Sequence, residues 1–97
     1  MLRHVVMFRW SPDTTDADRT GFLTGLEDLL AADEGVRAHR VGTNAGVLAD
    51  NFDLVLVADF DDIDGYLRYE ASPRHDDFVR RHASAAVGER SAIQHVW

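Results

Sequence analysis

Cysteine and lysine are both missing from this chain of 97 residues. The first absence excludes a disulfide framework, a thiolate metal site and a cysteine nucleophile. The second leaves all ten basic charges to arginine, against seventeen acids, for a net charge of −7. That balance argues against nucleic acid or an anionic membrane as partner, since the chain would repel their phosphates. Long apolar runs are lacking as well: the longest, Leu54 to Ala58, is far too short to span a bilayer. Only two prolines occur, and no Gly/Ser/Pro linker, repeat or low-complexity stretch divides the chain. Met1-Leu2-Arg3-His4 leads straight into strand-like sequence without a secretory pattern. The expectation is a single cytoplasmic domain over residues 1–97. At 45% hydrophobic content it has enough apolar material for one modest core.

What is present alternates, then spirals, then alternates again. In Leu2 to Trp10, the even positions Leu2, His4, Val6, Phe8 and Trp10 share one face; Arg3, Val5, Met7 and Arg9 share the other. Ser11-Pro12-Asp13 ends that strand. Thr15 with Asp18 three residues on marks a helix start, and Phe22, Leu23, Leu26, Leu29 and Leu30 follow at helical spacing up to Gly35. Val36 to Val41 reads as a short strand, 42–51 as a loop and Phe52 to Phe60 as another alternating strand. Asp61 or Asp62 can cap a short helix carrying Ile63, Tyr66 and Leu67. Ser72-Pro73 breaks that helix and starts the next, whose stripe is His75, Phe78, Val79, His82 and Ala86. Ser91 to Trp97 closes as a strand.

The order βαββαβ is that of an α+β, ferredoxin-like domain: a four-stranded antiparallel sheet with helices on one face. The first and third strands then pair at its centre. Matching apolar with apolar and acid with base sets a register in which paired residue numbers add to 62. It puts Val5 opposite Val57 and Met7 opposite Val55, and brings Arg3 to Asp59 and Arg9 to Asp53. The helices cover one face only. The Val5, Met7, Val55, Val57 face therefore predicts a homodimer packed sheet to sheet.

With its opening His4-Val5-Val6-Met7-Phe8, Val41-Gly42, the Asp53-to-Phe60 strand and Tyr69-Glu70-Ala71-Ser72-Pro73-Arg74-His75, the chain resembles the stress-responsive dimeric α/β-barrel (Dabb) family. The family motif Tyr-x-x-His-Pro-x-His, followed by a phenylalanine, reads here as Tyr69, Ser72-Pro73-Arg74-His75 and Phe78, with Ser72 replacing the first histidine. The resemblance implies a dimeric α/β barrel. Family members include plant stress proteins without established catalysis and a polyketide cyclase of the olivetolic-acid type, which performs an intramolecular aldol condensation without a cofactor. By that resemblance the catalytic roles fall on His75, Tyr69 and His4. The cyclase has a histidine where this chain has Leu54, and bulky aromatics near Ala85 and Ala86.

The residue types suit that chemistry. A neutral imidazole can remove a proton between two carbonyls, and a phenol in a dry pocket can donate to the resulting enolate. His75 lies in the first turn of its helix, where the positive end disfavours imidazolium. Val6, Phe8, Phe22, Leu26, Leu56, Phe78 and His82 are the expected walls of a cavity for an apolar small molecule. Gly21 and Gly25 leave either ligand room or close helix–sheet packing. Each candidate also has a plain structural role: His75 as a capping residue, Tyr69 as a core tyrosine bonded to it, His4 as a satisfied core histidine. His39, between Arg37 and Arg40, is expected to be exposed, and His95 lies beside the sheet edge.

No cofactor and no metal are expected. No histidine pair has the helical spacing of a zinc site. The acidic run Asp59, Asp61, Asp62, Asp64 departs from a calcium loop at Ile63 and Gly65, and reads better as strand pairing and helix capping. No phosphate loop, nucleophile elbow or dinucleotide fingerprint occurs. Three functions stay open: a cofactor-independent cyclase or isomerase, a non-catalytic stress-response dimer, and a cofactor-free monooxygenase suggested by fold analogy alone.

Overall fold

A computed structural model describes all 97 residues. The elements run β1 (Leu2–Trp10), α1 (Asp16–Ala32), β2 (Val36–Thr43), β3 (Leu54–Phe60), α2 (Ile63–Glu70), α3 (Pro73–Phe78), a π-helical turn (Val79–Ala83), α4 (Ser84–Ala86) and β4 (Val87–Val96). The strands form one antiparallel sheet in the order β2-β3-β1-β4, the ferredoxin-like arrangement. No helix is long and apolar enough to cross a membrane.

Local chemistry sets the boundaries. Thr15 Oγ1 accepts from the Asp18 amide at 3.1 Å while Asp18 Oδ2 accepts from the Thr15 amide at 3.3 Å, a closed capping box. Asp62, not Asp61, caps α2 by accepting from the Gly65 amide. Asp61 instead pairs with Arg37 at 2.8 Å. Ser72 Oγ accepts from the His75 amide with Pro73 in the first turn of α3. The acidic run is thereby dispersed among an ion pair in the sheet, another at its edge and a helix cap.

β1 and β3 pair in the register that adds to 62, from Leu2–Phe60 to Phe8–Leu54. Arg3 grips Asp59 with two bonds, Nε to Oδ1 at 2.8 Å and Nη2 to Oδ2 at 2.9 Å. The expected Arg9–Asp53 pair does not form. Strand pairing stops at Leu54, and Asp53 turns to accept from the Trp10 amide at 2.8 Å, while Arg9 reaches Glu89 at 3.0 Å. β4 is longer than expected and begins at Val87. β2 continues to Thr43 before the loop.

Even positions of β1 and β3 face the helices and form the core with Phe22, Leu26, Leu29, Leu30, Tyr69, Phe78 and Ala86. In α2 the expected stripe is only partly right. Ile63 and Leu67 face solvent, whereas Gly65 and Tyr69 are buried and Tyr66 is half-buried. The far side of the sheet carries Val5, Val55 and Val57 half-buried and Met7 41% exposed, with Ile93 beside them. Total accessible surface is 6052 Å², above the roughly 5,600 Å² that scaling gives a monomer of this mass.

Candidate active site

Between the sheet and the helices lies a cavity of about 260 Å³. Its walls are mostly apolar: Val6 and Phe8 from β1, Phe22 and Leu26 from α1, Leu56 from β3, Phe78 from α3, Val79 and Ala83 from the π-helical turn, and Val87 from β4. Its polar groups are His4, Tyr69, Glu70, His75 and Arg90. The space is somewhat smaller than the roughly 300 Å³ at which small-molecule sites usually begin.

His75 and Tyr69 converge on it. The proline break between α2 and α3 lets two short helices aim their side chains at one space, and the rings meet edge to face at 5.0 Å between centroids. The His75 side chain is 21% exposed. Its pKa is lowered, first by burial, with Glu70 opposing and Arg90 adding to the effect, so the ring is neutral at pH 7. Its Nε2 stands 3.9 Å from Glu70 Oε2, too long for a hydrogen bond but close enough to stabilise an imidazolium. Tyr69 is 2% exposed. Burial, then the charges of Glu70 and Asp33, push its pKa up, so this phenol keeps its proton and acts as a donor. The tyrosine makes no hydrogen bond to His75. No fully enclosed side-chain oxygen or nitrogen in the protein lacks a partner, so the free Tyr69 hydroxyl opens onto the cavity.

His4 sits behind this pair, 3% exposed, with its ring 4.7 Å from Tyr66 and 6.4 Å from Tyr69. Burial is the main cause that lowers its pKa to about 4. Gln94 Nε2 donates to His4 Nδ1 at 2.9 Å, which leaves the ring proton on Nε2. His4 is thus both a satisfied core histidine and a cavity-lining donor.

The structure does not bring His82 into the cavity. Beginning at Phe78 the chain widens into the π-helical turn, where the Ser84 amide bonds back to Val79 five residues earlier. Val79 and Ala83 face the cavity, and His82 swings against α1. There it fills the groove over Gly21 and Gly25; a Cβ on Gly25 would lie 2.8 Å from His82 Cδ2. The two glycines therefore make room for a histidine of the neighbouring helix, neither for a ligand nor for the sheet. His39 is less exposed than expected, because its Nε2 bonds Glu27 at 3.1 Å across to α1.

Glu70 and Arg90 are the two charged liners that sequence reasoning missed. Arg90 had a readable signal: it pairs with Phe8, and the inward alternation of Ala92 and Gln94 continues back to it. Glu70 had a weaker one, its helical spacing from Tyr66, whose hydroxyl donates to Glu70 Oε2 at 3.1 Å.

The profile of the stress responsive A/B barrel domain (Dabb) matches residues 2–94. The chain belongs to this family. Among solved structures, this Dabb domain is similar to a dimeric ferredoxin-like protein of unknown function from Thermobifida fusca. The two are 30% identical with a TM-score of 0.87, covering 99% of this chain and 90% of the other. A Dabb family protein from Mesorhizobium loti is 25% identical, with a TM-score of 0.84 and coverage of 99% and 95%. A hydroxynitrile lyase from Passiflora edulis is 17% identical with a TM-score of 0.86, covering 99% and 92%. At that identity the likeness shows a shared fold. No curated protein matches in sequence.

Proposed function

We propose that this Dabb protein is a cofactor-independent acid–base enzyme acting on a small carbonyl compound, in the manner of a polyketide cyclase or isomerase. The observation that carries the reading is the meeting of a neutral His75 and a protonated Tyr69 on one largely apolar cavity. His75 takes a proton from the carbon next to a carbonyl. The C–H electron pair becomes the enolate, whose oxygen accepts from the Tyr69 hydroxyl in a space where water competes little. Glu70 steadies the imidazolium that results. In a ring closure the enolate carbon attacks a second carbonyl, and the new alkoxide recovers the proton from His75. His4, anchored by Gln94, orients substrate through its Nε2–H. The absence of lysine leaves no side chain for a Schiff-base route, which favours this direct one. A hydroxynitrile lyase on the same fold accords with an enzymatic use of the cavity.

The working unit is proposed to be a homodimer joined through Val5, Met7, Val55 and Val57. It is supported by the uncovered apolar sheet face and by the dimeric relative from Thermobifida fusca.

The test is deuterium exchange at the C–H between the carbonyls of a β-ketoester, followed by NMR in D₂O. The protein should exceed free imidazole at equal concentration. His75→Ala should lower the protein-dependent rate about 10²–10⁴-fold, the usual weight of a general base, and Tyr69→Phe should lower it less, both with circular dichroism unchanged. Exchange no faster than imidazole across a series of ketones and ketoesters overturns the enzymatic reading and leaves a paired scaffold.

A further inference from the structure

Six arginines form ion pairs with carboxylates: Arg3, Arg9, Arg19, Arg37, Arg80 and Arg81. Arg40, Arg68, Arg74 and Arg90 form none, in a chain where acids outnumber bases seventeen to ten; what sets Arg90 apart from the other three is its place. It is the one arginine that borders the cavity of His75 and Tyr69. Its strand position, opposite Phe8, directs it to the helix-facing side of β4. Its positive charge already bears on His4, Tyr66 and His75. The other charged group at the opening, Glu70, has Oε2 engaged by the Tyr66 hydroxyl.

We infer that Arg90 receives the carboxylate of the substrate, which is a small keto acid with an apolar body that fills the cavity. This rests on the acid–base reading above and names the substrate class for it. A planar guanidinium is suited to a carboxylate because two parallel N–H donors meet its two oxygens. Such a clamp fixes the acid end at the exposed rim of β4. The apolar body then runs inward along Phe8, Val6 and Leu56, and the carbon between acid and ketone lies toward His75.

The probe is 3-phenylpropanoate, compared with its methyl ester, with binding followed by calorimetry and by the His75 and Tyr69 ring resonances. The wild-type protein should bind the acid at least tenfold more tightly than the ester, less so at high salt. Arg90→Gln should abolish that preference, by weakening the acid at least tenfold. Glu70→Gln should widen it by removing a like charge, and His75→Ala should retain it. Equal affinity for acid and ester, a preference that survives Arg90→Gln, or no movement of the His75 and Tyr69 signals with either probe overturns the proposal. Equal binding beside His75 removes the anion clamp and spares the acid–base reading. An Arg90-dependent preference without His75-dependent exchange does the reverse.

Discussion

Burial keeps His4 neutral through the whole physiological range, and that has a cost at low pH. In the unfolded chain its pKa is near 6.5; in the fold it is lowered to about 4. Between those values the unfolded chain binds a proton that the folded one refuses. Stability is therefore fully present above about pH 6.5 and declines as pH falls toward 4. The loss from this one group is at most about 3 kcal/mol, at roughly 1.4 kcal/mol for each pH unit that separates the two values. His4→Gln cannot titrate, so its urea-unfolding free energy should vary less over that interval than the wild type's. Equal slopes would mean that His4 is not the group responsible. The His75 pKa moves in the same direction, with burial as the leading cause, and this residue retains its share of the slope in the variant.

At the level of elements, what could be read from the sequence depended on how many residues carried the pattern. The pairing of β1 with β3 was legible because seven successive cross-strand pairs had to satisfy charge and apolarity together. Thr15 and Ser72 were legible as caps, and Asp62 as one of two candidates beside Asp61, because few side chains satisfy orphan helix amides. The cavity residues of β1 and β3 followed from the same alternation, and those of α1 from helical spacing. The widened turn at Val79–Ala83 was not legible. Over five residues, apolar spacing does not separate a π turn from an α turn, so His82 was expected in the cavity and Val79 and Ala83 were not. That packing makes a contrast between neighbours. Gly21→Ala places its Cβ 3.3 Å from His82 Nδ1, a gap that a small ring movement relieves, and should be neutral or raise the melting temperature. Gly25→Ala meets His82 at 2.8 Å and Phe78 at 3.2 Å, and should destabilise by about 1–3 kcal/mol as overpacking does. Adding His82→Ala to Gly25→Ala should recover part of that loss. A Gly25→Ala protein as stable as wild type in thermal melts would contradict the close packing.

For the whole molecule, the proposed assembly rests on the uncovered sheet face. Met7 is 41% exposed in the single chain, so Met7→Asp leaves the fold's own core untouched while placing a charge in the proposed seam. Light scattering should report twice the 10.9 kDa chain mass for the wild type and the chain mass for the variant. A wild type that elutes at the chain mass at micromolar concentration would refute the pairing. The parity of β1 binds this to the chemistry, for His4, Val6 and Phe8 look one way and Val5 and Met7 the other. Pleating permits no intermediate setting. Point changes should therefore tune the proposed reaction and the proposed association separately, since no side chain of this ribbon points both ways.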